Sequence, residues 1–319
     1  MVRSLSAWLF VLAITASAVA SAAEPPADDT LLTIDNGTTK IGIDRSRGGS
    51  ITWLSWSTYP HNTINIHDPG RLIQQSYYTG RVLDRTAEGQ SKSWSPWPWN
   101  PIQGGGVSSW ARVTRFEKPN ASTLTSVTIP KLWDMPDEEA AAVMHQTTRF
   151  EPDMPEVMVI ENRLECRRSS DDAWGPAVHC SQEVPACYFT RNFDHYKSYL
   201  GDGEWRDEHQ PAGPPWGNAE PPRKAMACFN AEGQGIAVFS PTSNFRWNFG
   251  PHQEIMSDDP EHGACVHVAP ISQVTLGPKS TYEYRYWLVV GDQATLADRL
   301  ETLWAKYKDE QGTLTNPSE

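Results

Sequence analysis

The segment from His67 to Gly80, HDPGRLIQQSYYTG, sets an imidazole, a carboxylate (Asp68), a guanidinium (Arg71), two amides (Gln74, Gln75) and two phenols (Tyr77, Tyr78) close together. Shortly after it, WSPWPWNP spaces Trp94, Trp97 and Trp99 between prolines. Indoles on a proline-stiffened backbone present flat apolar faces, which stack on pyranose rings, while amides, phenols and charged groups match sugar hydroxyls. This mixture suits gripping a sugar chain and, with a carboxyl that can hold a proton, cleaving it.

A second group follows in QEVPACY. Glu183 stands among mostly apolar neighbours, where loss of water raises a carboxyl pKa towards the value a general acid needs. Tyr188 and, further on, Tyr196 extend a sugar-lining surface, and His145 sits in the middle of an expected strand. Each of these residues has a plainer reading: a tyrosine packed on a sheet, a buried Arg–Asp pair, a tryptophan minicore under a loop, or a histidine with satisfied bonds.

Two bond-breaking routes fit this cast. Hydrolysis needs paired carboxyls about 5–5.5 Å apart for retention or about 6.5–9.5 Å for inversion, and Glu183 with Asp68 is the expected pair. Elimination from a uronic acid needs a group such as Arg71 or Gln74 to neutralise the acid, and a base such as Tyr78 or His145. His67, Arg71, Gln74, Gln75, Tyr77, Trp94, Trp97, Trp99, Tyr188 and Tyr196 are the expected substrate contacts.

The elements that must position these groups read as strands. Period-two runs rich in β-branched and aromatic residues recur at 31–34, 39–43, 51–56, 110–116, 124–129, 143–150 and 156–164, separated by turn residues. They resume at 225–230, 235–239, 264–268, 272–276 and 281–290, the last ending as a continuous apolar run expected of a strand covered on both faces. Residues 68–109 and 190–223 lack a sustained period and are expected to be long loops rich in aromatic residues. Along 71–78, alternation would send Arg71, Ile73, Gln75 and Tyr77 one way and Leu72, Gln74, Ser76 and Tyr78 the other. One helix is expected near the end, capped by Asp292 or Thr295, with Leu296, Leu300, Leu303, Trp304 and Tyr307 as its apolar stripe.

Residues 1–22 combine a basic start, an apolar run and Ala20-Ser21-Ala22, the pattern of a secretory leader cleaved near Ala22/Ala23. The expected organisation is the leader at 1–22, a flexible lead-in at 23–30, one β-sandwich domain at 31–311 and a flexible tail at 312–319. A secreted or periplasmic location follows, with no membrane anchor, since no later run approaches the ~20 apolar residues that span a bilayer. Loss of Arg3 with the leader takes the net charge from −12 to −13. That excess of acid argues against nucleic acid as a partner, because phosphate binding rests on clustered Lys and Arg, and it sits poorly with a polyanionic glycan. The five cysteines permit at most two disulfides and have no zinc-site spacing. No metal and no cofactor is expected.

The opening LLTIDNGTTKIGIDRSRGGSITWLSW, the NIHDPGRLIQQSYYTG segment and the late YEYRYWLVVGD strand together resemble the galactose mutarotase-like β-supersandwich group. That resemblance implies an all-β antiparallel supersandwich with long aromatic loops and the single C-terminal helix. It implies carbohydrate chemistry too. In epimerases of the group a histidine acid and a glutamate base flank one ring, and His145 and Glu183 are the nearest analogues here. An exported chain with long aromatic loops suits an open cleft better than an epimerase's closed pocket. The expected function is cleavage of glycosidic bonds in a polysaccharide or oligosaccharide, with hydrolysis favoured over elimination and a carbohydrate-binding protein without catalysis as the rival.

Overall fold

The structure, a computed structural model, describes residues 30–135, 137–252, 259 and 263–316. The leader and most of the lead-in lie outside the described residues. Two large antiparallel sheets dominate. One runs from the strand Arg112–Asn120 through Thr123–Ile129, Ala142–Glu151, Met154–Cys166, Thr281–Asp292, Gln234–Phe239, Ala225–Phe229 and His195–Gly201 to Glu204–Glu208. The other orders Lys131–Leu132, Pro101–Ile102, Gln74–Ser76, Val178–Thr190, Cys265–Ala269, Trp247–Pro251 and Gly217–Ala219, with Ile271–Leu276 also paired to Val178–Thr190. A meander of Leu31–Asp35, Thr39–Asp44 and Ser50–Trp56 forms a third, smaller sheet.

Alternation sets the layers. Met226, Cys228, Ile236, Val238, Tyr286, Leu288 and Val290 of the larger sheet share one core with Val184, Cys187, Phe189, Val266 and Val268 of the second sheet and with Ile34, Ile41 and Ile43 of the meander. The intervening residues Ala225, Ala227, Ala237, Phe239, Trp287 and Val289 face outward and are covered by Leu296, Leu300 and Leu303 of the helix Gln293–Tyr307. The strand 281–292 is thus sandwiched between core and helix, which explains its unbroken apolar end. Asp292 caps the helix, accepting a bond from the Thr295 amide at 2.8 Å. This all-β antiparallel fold, with one helix among the described residues, is the layered arrangement expected from the sequence.

Three expectations need correction. The strand Val178–Thr190 went unread because Glu183 and Pro185 interrupt its pattern, yet it is a central member of the second sheet. Neither stretch expected as one long loop is one: 68–109 contains the strands Gln74–Ser76, Thr79–Leu83 and Trp97–Trp99, and 190–223 contains His195–Gly201 and Glu204–Glu208. The expected free tail pairs in part: Thr313–Thr315 joins Thr281–Glu283 as a short strand. No disulfide joins the five cysteines among the described residues, and four of them are buried. No described helix is long and apolar enough to cross a membrane.

Candidate functional site

The second sheet has one face on the core, and its other face carries a cavity of about 250 Å³. Its floor comes from Val178–Thr190. Glu183 pairs with Ser76 and Ala186 pairs with Gln74, so the strand holds one residue more than its partner between these points. Such a bulge reverses side-chain alternation. Glu183, Ala186 and Tyr188 therefore all line the cavity, whereas Val184, Cys187 and Phe189 enter the core. Across the pairing, Ser76 and Tyr78 line the cavity, while Ile73 and Tyr77 go to the core.

One wall is the turn at 68–71. Asp68 Oδ1 accepts from the Gly70 amide at 2.9 Å, and Asp68 Oδ2 lies 3.2 Å from Arg71 Nε. Gly70 is needed there, since a Cβ would sit 2.7 Å from two ring atoms of Trp133. The rim that abuts this turn is aromatic. Trp94 meets Trp97 edge-on at 5.1 Å and Trp133 at 5.5 Å, and Trp97 meets Tyr78 at 6.5 Å. Trp97 Nε1 donates to Asn100 Oδ1 at 3.0 Å, and Asn100 Nδ2 donates to the Tyr77 carbonyl at 2.8 Å, which fixes the ring to the sheet. Pro214, Trp216 and His252 complete the lining.

The electrostatics centre on Glu183. Burial pushes its pKa up to about 7, and the nearby hydroxyls of Ser76 and Tyr78 only partly offset this. Tyr78 is held far above the ordinary phenol value, by burial first and by the Glu183 charge second. Tyr188 is raised for the same two reasons. His267 Nε2 lies 3.6 Å from Glu183 Oε1, and burial takes the imidazole pKa down to about 3. Proximity alone would favour an imidazolium–carboxylate pair, but with His267 fully buried and Glu183 only 14% exposed the uncharged pair wins. Near neutral pH the site therefore holds a half-protonated carboxyl beside a neutral imidazole.

Asp68, Arg71, Tyr78, Trp94, Trp97, Glu183 and Tyr188 thus share one cavity. The other expected residues lie elsewhere. Gln74 is fully buried and clamps two loops, donating to the Pro69 carbonyl at 2.9 Å and accepting from the Gly104 amide at 2.7 Å. Gln75 faces the core side, donating to the His145 carbonyl at 3.0 Å and accepting from Tyr77 Oη at 2.8 Å. Tyr77, Trp99 and Tyr196 are core residues, with the Arg168 guanidinium 5.5 Å from the Trp99 ring. His67 is partly exposed and does not line the cavity.

His145 is the largest departure. Its strand turns Met144 to the core and His145 to the opposite face of the larger sheet, where Nε2 meets Glu165 Oε1 at 3.1 Å. It lines a separate groove with Arg163, Glu283 and Arg285. Both sheets lie between it and Glu183, so the two cannot flank one sugar ring. Sequence reasoning missed Ser76, Asn100, Trp133, Trp216, His252 and His267. His267 had a readable signal, an imidazole in the otherwise apolar strand CVHVA. Among the described residues no group of three His, Cys, Asp or Glu side chains could hold a metal ion.

No family model matches the chain, and no curated protein matches it. Solved structures do. A galactose mutarotase related enzyme from Lactobacillus acidophilus aligns over 82% of this chain and 98% of its own, at 8% identity and a TM-score of 0.48. A 4-alpha-glucanotransferase from Thermococcus litoralis aligns over 82% of this chain and 37% of its own, at 8% identity and 0.45. A heparan sulfate lyase from Pedobacter heparinus aligns over 82% and 35%, at 9% identity and 0.37.

Proposed function

We propose that this chain is an exported carbohydrate-active enzyme that hydrolyses glycosidic bonds, with Glu183 as general acid. One observation carries the reading: a buried carboxyl with a pKa of about 7 lies in the floor of a cavity rimmed by tryptophans. A carboxyl in that state keeps its proton long enough to give it to a leaving sugar oxygen, and is a competent base once it has done so. Asp68, on the neighbouring wall and paired with Arg71, supplies the second carboxyl, either as nucleophile or by activating water. Trp94 and Trp97 offer the stacking faces.

Elimination is the weaker reading. It asks Tyr78 to act as base, and burial beside Glu183 opposes loss of the phenol proton. His145, the other expected base, opens onto a different groove. Export rests on the leader-like residues 1–22.

The test is incubation of the mature chain with a panel of neutral and acidic glycans, recording product masses. Hydrolysis adds one water per bond broken, and the Glu183→Gln variant should bind but not cleave. Products carrying an unsaturated uronide would overturn hydrolysis. Binding without cleavage by the unaltered protein would make it a carbohydrate-binding protein.

A further inference from the structure

His267 is buried to 0% exposure on the strand next to Glu183, directly across from Tyr188 in the register. Its ring lies between two others, 4.4 Å from Tyr188 at 33° and 4.5 Å from Trp216 at 38°. Neither ring nitrogen completes a hydrogen bond among the described residues. A buried imidazole whose ring nitrogens complete no hydrogen bond is costly, and a phenylalanine would fill the same slot without that penalty. Glu183 Oε1 lies 3.6 Å from Nε2, just beyond hydrogen-bonding reach, and the Cys187 backbone is a second acceptor close enough to act on the imidazole.

We propose that His267 is a positioning residue for Glu183, its Nε2–H closing onto Oε1 when the carboxyl gives up its proton and so stabilising the carboxylate form. The flanking rings stop the imidazole from turning away, so the carboxylate makes the move, a shift of about 0.7 Å to normal bond length. In the protonated carboxyl the bond is open; in the carboxylate it is made. An interaction present only after proton transfer lowers the barrier to that transfer instead of tightening the ground state. As a catalytic statement this rests on the role proposed for Glu183, but the coupling of the two side chains can be read without any substrate.

The titratable and charged groups facing the pair are Asp68, Arg71, Tyr78, Cys187, Tyr188 and His252. Asp68 and Arg71 pair with each other, and burial keeps Tyr78, Cys187 and Tyr188 protonated. His252 is the remaining ionisable neighbour, and its charge acts directly on His267.

The test is an infrared pH titration of the full mature chain, with the Glu183 carboxyl band identified by its loss in Glu183→Gln. The unaltered midpoint is expected near 7. His267→Phe, which keeps the ring stack but lacks the donor, should raise it by about one pH unit, a tenfold loss of carboxylate stabilisation. His267→Gln, which keeps an N–H, should stay close to the unaltered value. The His267→Phe shift should persist in a His252→Asn background, and the alkaline limb of any cleavage profile should move with it. An unchanged midpoint in His267→Phe, or a shift that vanishes with His252→Asn, overturns the proposal.

A ¹⁵N spectrum of the unaltered chain gives a second reading that needs no His267 variant. The Nε2 resonance of His267 should change with the Glu183 midpoint and lie flat in Glu183→Gln; a flat response in the unaltered chain overturns the proposal. Failure to cleave any glycan would instead sink the function proposed for Glu183 and leave both titrations decisive.

Discussion

Glu183 stands opposite Ser76 in the register of two antiparallel strands, and the next matched pair is Ala186 opposite Gln74. The strand takes three steps where its partner takes two. Regular alternation would have pointed the Glu183 carboxyl into the core beside Cys187; the extra residue turns it into the cavity with Ala186 and Tyr188. Its environment on that side is still largely dry.

The raised pKa of Glu183 makes stability depend on pH. The ordinary value is 4.5 and the folded value about 7, so folding favours the protonated form. Its contribution is complete below about pH 4.5, declines between there and about 7, and is gone above. The shift corresponds to at most about 3 kcal/mol, and less in practice because 14% of the side chain is exposed. Glu183→Gln mimics the protonated state. It should match the unaltered protein at pH 4 and exceed it at pH 8, as measured by denaturant midpoints. Equal midpoints at pH 8 would mean that Glu183 is not desolvated.

The same bulge explains what the sequence made legible. Alternation along 71–78 was readable in part: Ile73 and Tyr77 face the core and Ser76 and Tyr78 the cavity, but Arg71, expected on the side of Ile73 and Tyr77, lines the cavity because it belongs to the turn at 68–71. The strands of the larger sheet were readable as runs of β-branched and aromatic residues, and the helix by its apolar stripe of Leu296, Leu300 and Leu303. Val178–Thr190 was not, because its bulge breaks the period at the position where Glu183 is presented. Composition marked Gln74 and Gln75 as polar, but only the fold decides whether a buried amide meets a ligand or a loop carbonyl. His145 was misjudged because alternation assigns a residue to a face of its strand, and does not say which face of the sheet bears the cleft.

Asp68 and Arg71 form the charged wall. Asp68→Asn removes the second carboxyl and leaves Arg71, whose side chain is 13% exposed, beside a neutral amide. Cleavage should fall by about 100-fold or more, the usual loss when one of two proton-handling or nucleophilic groups is removed. Binding should survive, because the tryptophan rim is untouched. Initial rates and ligand-induced tryptophan fluorescence separate the two effects, and a near-normal rate would remove Asp68 from the catalytic pair.

Trp94 contributes a face to the rim and touches Trp97 and Trp133 edge-on. Trp94→Ala should therefore cost stacking alone. A loss of about 1 kcal/mol per aromatic contact implies roughly fivefold weaker binding. KM should rise by that factor with kcat held within about twofold, the signature of lost uniform binding. A fall in kcat at constant KM would show that the rim orients the reacting bond instead.

Gly70 and Trp133 are coupled by contact. The Gly70 backbone is not in a left-handed conformation, so an alanine there is limited by space alone: its Cβ would lie 2.7 Å from Trp133 Cη2 and Cζ3. Trp133 cannot easily retreat, since its amide donates to the Asn100 carbonyl at 2.9 Å and its ring abuts Trp94. Gly70→Ala should cost about 1–3 kcal/mol, typical of an overpacked site, and weaken glycan binding by displacing the rim. Adding Trp133→Ala removes the clash, so the double variant should be less destabilised than the sum of the two single changes. Strict additivity in urea unfolding would mean that the ring yields freely and that the turn at Asp68–Arg71 does not brace the aromatic wall.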